Sequence, residues 1–186
     1  QFVSLGILWG LVVLRHGILL AFITYYLLLL QERGADYLTG SISLFIVLIS
    51  GVFGGVIGGF LSDRFGRWPT AVFSLVFGFA FTLGFLMLPE PYAFVSLLIG
   101  TALLNASNPI MVAFAQELTP DRSSTASAIV MGFGWGFGGL LISIVGVLVD
   151  AHGIAHALWI STLTAFVLSI GLLIAGEFKF RVRKAL

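Results

Sequence analysis

The chain has no cysteine, five prolines and charge on only 9% of its 186 residues. The absence of cysteine excludes disulfides, thiolate metal sites and cysteine nucleophiles together. The charge content is far below the roughly 25% of an ordinary soluble domain, and a net charge of +1 gives no basis for a nucleic-acid partner. Chemistry-bearing groups are also scarce. There are no paired midplane carboxylates, no Ser–His arrangement at productive spacing and no metal-ligand cluster. His152 and His156 stand four apart, but in a loop where Asp150 is the only nearby acid. An enzyme inside the membrane is therefore a poor reading, and no metal or cofactor is expected.

What is present is apolar, at 59% of residues. A membrane span needs about 20 such residues, and six stretches qualify: Val3–Leu30, Tyr37–Leu61, Pro69–Leu88, Tyr92–Leu118, Thr125–Val149 and His156–Gly176. The joints between them are short. Pro69 suits the first turn of the third helix, and Ser123 or Ser124 can cap the fifth. Runs this long, without alternation, exclude a β-barrel. The fold class is all-α integral membrane. The chain opens at Gln1, almost inside its first apolar run, and is read as a fragment or a processed piece.

Lysine and arginine set the orientation. Arg64, Arg67, Arg122, Lys179, Arg181, Arg183 and Lys184 collect on one side, against Arg33 alone on the other. Both chain ends, the 62–67 turn and the 119–124 turn are expected in the cytoplasm. Tyr37, Tyr92 and Trp159 fall near outer helix ends and Trp68 near an inner one, as an aromatic belt requires.

Arg15 is the costliest residue to insert. It lies near the midplane of the first helix, where insertion costs roughly 2.5–3.5 kcal/mol. A water-filled cavity, a partner carboxylate or an anionic ligand must offset that cost; a pairing that only holds helices together is the plainer alternative. Phe22 and Tyr26 share its helical face. His16 points about 100° away and is either a proton carrier or a histidine bonded to a neighbouring helix. On the fourth helix Thr101, Asn105, Asn108, Val112 and Gln116 follow one face. Their amides either face a ligand or join helices. Pro109 removes one backbone bond beside Asn108. Trp135, set among glycines, is packing or a cavity wall.

Glycine organises two further helices. Gly51, Gly55 and Gly59 recur every fourth residue, with Gly54 and Gly58 one step behind; Gly132 and Gly136 repeat the spacing in the fifth helix. Both are close-packing surfaces. Gly134, Gly136 and Gly139 formally fit a dinucleotide fingerprint, but no strand precedes them. The second helix runs into a charged tight turn, Ser62-Asp63-Arg64-Phe65-Gly66-Arg67. There Asp63 can accept the free N–H groups at the start of the fifth helix, and Arg64, Arg67 and Arg122 can pair with Asp63 or Glu117. Such a network would act as a latch on the inner face, with Gly59 and Gly66 supplying its backbone geometry. Cut into two sets of three, the helices place midplane polar residues on the first member of each set and glycines on the second. That pattern fits two inverted three-helix repeats, a feature of secondary transporters.

Gly59-Phe60-Leu61-Ser62-Asp63-Arg64-Phe65-Gly66-Arg67 resembles the cytoplasmic-loop signature of the major facilitator superfamily, with Trp68 departing from its last basic position. Ala115-Gln116-Glu117-Leu118-Thr119-Pro120-Asp121-Arg122 followed by 132–139 resembles the second half of fosmidomycin-resistance-type exporters. The resemblance implies that residues 1–186 are the C-terminal six-helix half of a twelve-helix carrier whose N-terminal half is absent. It implies first and fourth helices lining a cavity, second and fifth packing on the opposite half, and proton antiport of an anionic or amphipathic compound. The expected substrate path is Arg15, His16, Tyr26, Asn105, Asn108 and Trp135. The expected partners are the N-terminal half or a second copy, membrane lipid, a small-molecule substrate and a proton. The competing expectation is a non-transporting six-helix subunit that stabilises a larger membrane complex.

Overall fold

Backbone amides in hydrocarbon must bond internally, so an apolar chain of this kind folds as helices. The structure, a computed structural model, describes residues 2–184. Its helices are α1 (Phe2–Glu32), α2 (Tyr37–Phe65), α3 (Arg67–Met87) and α4 (Tyr92–Leu118). A 3₁₀ turn at Pro120–Arg122, α5 (Ser123–Ser127), a π turn at Ala128–Phe133 and α6 (Gly134–His152) together form the fifth span. α7 (Ile154–Lys184) is the sixth. Six stretches among the described residues are long and apolar enough to cross a membrane, which makes this an integral membrane protein. The side chains of Lys179, Arg181, Arg183 and Lys184, counted above on the basic side, lie outside the described residues.

The helix ends correct several expectations. The 62–67 segment is not a loop: α2 continues to Phe65 and α3 starts at Arg67, so Gly66 alone makes the turn, at φ 94°. That positive φ is disfavoured for any residue with a Cβ. Pro69 falls in the first turn of α3 as expected. Neither Ser123 nor Ser124 caps the fifth span, because the chain enters it through the 3₁₀ turn, which carries no side-chain cap bond. Asp36 caps α2, accepting from the Thr39 amide at 3.2 Å, and the Thr39 side chain together with that amide holds its carboxyl below the usual range.

The six spans pack crosswise. α4 lies against α2 and α3, whereas α1 lies against α6 and α7. Exchanging the first three spans for the last three maps this pattern onto itself. The two inverted repeats are therefore interleaved, with the leading helix of each seated between the later helices of the other.

Glycine permits two of the close crossings. A Cβ on Gly54 or Gly58 would fall on the backbone of Ala102 or Ala106 in α4. One on Gly138 would lie 3.1 Å from the Gly17 nitrogen, and one on Gly134 would lie 2.8 Å from Val12 Cγ1. Gly51 also packs inward, 2.7 Å from the Asn105 amide nitrogen, but Gly55 is only loosely approached, 3.9 Å from Asn105 O. Gly59, Gly132 and Gly136 have nothing within 4 Å. The packing surface within this bundle is thus the neighbouring strip, rotated about 100° from the one that spacing alone selects. Apolar side chains such as Val52, Phe53, Phe60, Phe133 and Leu140 stand exposed on these outer faces.

Candidate functional site

The crosswise packing leaves a cavity of about 520 Å³ walled by α1, α2, α4 and α6. Arg15, His16, Tyr26, Asn105, Asn108 and Trp135 all line it, as do Phe22, Thr101, Gly51 and Gly55. The structure thereby brings together the six residues expected on a substrate path, from three different helices.

Arg15 does not hang free in this space. It is 1% exposed and tied to α4: Nη2 donates to Asn108 Oδ1 at 3.1 Å and Nη1 reaches Leu104 O at 3.5 Å. Nε has no partner. Both acceptors are neutral, and no acid among the described residues pairs with the guanidinium. The planar fork suits this task, because it can engage α4 through one edge and still present donors elsewhere. The carbonyl of Leu104 could not be read from sequence. Asn108 could, since 105 and 108 share a helical face.

The rest of the wall is aromatic and amide. His16 stacks on Trp135 with ring centroids 4.8 Å apart and planes 6° from parallel. The close approach of α1 and α6 at Gly17 and Gly138 brings them together. Tyr26 and Phe22 are buried against Phe85 of α3, at 5.8 and 5.9 Å. The Asn105 amide donates to Thr101 O at 3.0 Å. The cavity therefore combines one uncompensated cation, amide groups and flat apolar faces. That set suits a small molecule with an anionic group and a nonpolar body.

In the charged network around the 62–67 turn, Arg67 is the hub. It meets Asp63 at 2.6 Å, Glu117 at 3.0 Å and Ser62 Oγ at 2.7 Å, joining α2, α3 and α4. The expectation that Asp63 serves the start of the fifth span is corrected, since the adjacent guanidinium is the nearer and stronger donor. Arg64 instead lies over the Phe65 ring at 5.5 Å. Arg122 lines a separate groove with Thr119, Asp121 and Thr125. Trp68 is likewise not a belt residue: it is buried, and its Nε1 donates to Glu177 at 2.7 Å, fastening α7 to the start of α3. Sequence reasoning passed over Glu177, although an acid ahead of a basic tail was the available signal. It also overlooked Ser62, which stands inside the quoted motif.

An interleaved six-helix membrane bundle, with a buried cation beside a cavity and a charged network at one end, has the architecture expected of half of a membrane transporter fold. Residues 1–143 match the Major Facilitator Superfamily, and the chain belongs to that family. It is 33% identical over 137 residues to the fosmidomycin resistance protein of Escherichia coli (strain K12), covering 70% of this chain and 32% of that protein. It is also 33% identical over 113 residues to the uncharacterized MFS-type transporter YfnC of Bacillus subtilis (strain 168), covering 60% of this chain and 27% of that one. The matched part thus spans between about a quarter and a third of each relative's length.

Proposed function

We propose that this chain is the C-terminal half of an alternating-access exporter for a small anionic or amphipathic compound, coupled to protons. The observation that carries the reading is Arg15: a buried charge, held by two neutral acceptors, on the wall of a 520 Å³ cavity. Charge buried in a span is retained where it serves a ligand or an ion path. A bound anion would supply the counter-charge that the described residues lack. The exposed glycine faces of α2 and the fifth span are where an N-terminal half, or a second copy, would close the cavity. The Asp63–Arg67–Glu117 network would hold the inner face shut and break as it opens. The excess of arginine and lysine at the latch end supports cytoplasmic termini, and the Escherichia coli relative suggests a bacterial inner membrane. The described spans hold no acid facing the cavity, so His16 or an acid of the other half would carry the proton.

The name of the Escherichia coli relative suggests fosmidomycin as the first compound to test. The full transporter containing this chain, reconstituted in liposomes with an imposed pH gradient, should move fosmidomycin. Arg15→Ala should insert normally and lose that transport. Full transport by the variant would remove Arg15 from the path. No flux with the unaltered protein would favour the reading as a stabilising subunit.

A further inference from the structure

The fifth span holds a feature that neither the cavity nor the latch uses. In the π turn at Ala128–Phe133 the Gly134 N–H donates to Ile129 O, five residues back rather than four. Relative to a continuous α-helix, one extra residue is lodged there. Single π turns of this kind are rare and concentrate at functional sites. An extra residue in a helix can migrate, and each residue it passes rotates by about 100° and shifts by about 1.5 Å.

The residues next in line are Gly134-Trp135-Gly136-Phe137-Gly138. Trp135 faces the cavity, stacked on His16. If the extra residue passes to its C-terminal side, Gly134 takes the indole's place on the wall. Trp135 then takes the place of Gly136, where nothing of this chain lies within 4 Å, so the indole enters the seam with the other half. Gly138, which sets the crossing with α1 at Gly17, lies beyond the shifted residues and keeps its position. Glycines on both sides of Trp135 lower the conformational barrier to either arrangement. The opposing cost falls at Val12, because Phe133 would approach the place of Gly134, whose Cβ site is 2.8 Å from Val12 Cγ1. That crowding explains why the indole-in arrangement is the one observed.

We infer that the π turn is a register switch. By moving one turn toward the C-terminus it withdraws the Trp135 indole from the cavity wall, leaves bare backbone there, and so widens the substrate path. The inference rests on the transport reading for its purpose, but its geometry can be tested without flux. In a cysteine-free background of the full protein, a single cysteine at position 134, buried in the observed register, is labelled with N-ethylmaleimide in membranes. Its own crowding against Val12 is held constant by comparing it with the same cysteine in a variant that lacks Gly132. A minor register populated at the per cent level exposes position 134, so labelling should be about tenfold faster with Gly132 present. Equal rates with and without Gly132 overturn the switch.

Deleting Gly132, whose surroundings are open, removes the spare residue while both flanks keep their places. In that background the excess reactivity at 134 should vanish and fosmidomycin transport should fall by about tenfold or more. Full transport by the deletion variant overturns the switch and leaves the transport reading standing. Absence of transport from the undeleted protein, with the labelling difference intact, removes the transport reading and leaves the switch.

Discussion

Asn108→Asp tests the charge logic of the cavity with almost no change of shape. The amide oxygen of Asn108 lies 3.1 Å from Arg15 Nη2, so a carboxylate in the same rotamer would sit in direct contact with the guanidinium. Unit charges about 4 Å apart interact by about 4 kcal/mol at an effective dielectric of about 20. The new pair would therefore neutralise the cation that an incoming anion needs. Allowing for screening by water in the cavity, the anion should lose about 2–4 kcal/mol, or about 30- to 900-fold in affinity. A neutral analogue of similar size should bind as before, since the apolar wall is untouched. Competition binding to the purified full transporter, with a phosphonate and its uncharged ester, reads both quantities. Unchanged phosphonate affinity in a correctly inserted variant would refute the idea that Arg15 selects anions. Equal loss for both ligands would point to a collapsed cavity instead.

Gly54→Ala should be among the most destabilising small substitutions in the bundle, because the added methyl falls on the Ala102 backbone and must push α2 from α4. An overpacking cost of about 1–3 kcal/mol or more is expected as a lowered midpoint of thermal unfolding in detergent. Gly59→Ala, with nothing of this chain within 4 Å, should cost less than Gly54→Ala, because no backbone of this bundle has to move. Trp68→Phe removes the bond to the Glu177 carboxylate and should cost about 1.5–3 kcal/mol, the range for bonds to charged groups. Glu177→Gln, whose amide oxygen still accepts, should cost less, and an equal effect of the two would contradict the role given to this bond.

Much of this architecture was legible before any coordinates. Six spans, their boundaries within a few residues, and the all-helical class follow from apolar run length and the demand that lipid makes on backbone amides. Arg15, His16, Asn105 and Asn108 were legible as candidates because a polar group at mid-span is conspicuous against its neighbours. The Gly59–Arg67 motif was legible because its residues are contiguous. Choosing between Gly55 and Gly54 as the packing face was not possible, since both strips have four-residue spacing and differ only in rotation about the helix axis.

Sequence alone determined the solvent of this protein, the number of its helices and the residues that do not belong in hydrocarbon. Those properties depend on local composition summed over a span. Only the tertiary structure decided that Arg15 is held by neutral acceptors on α4, that Trp68 fastens α7, that the repeats interleave, and that the fifth span carries a π turn beside Trp135. Each of these depends on how one helix is rotated and seated against another. That rotation is set by backbone contacts at a few glycines, to which composition and spacing are blind.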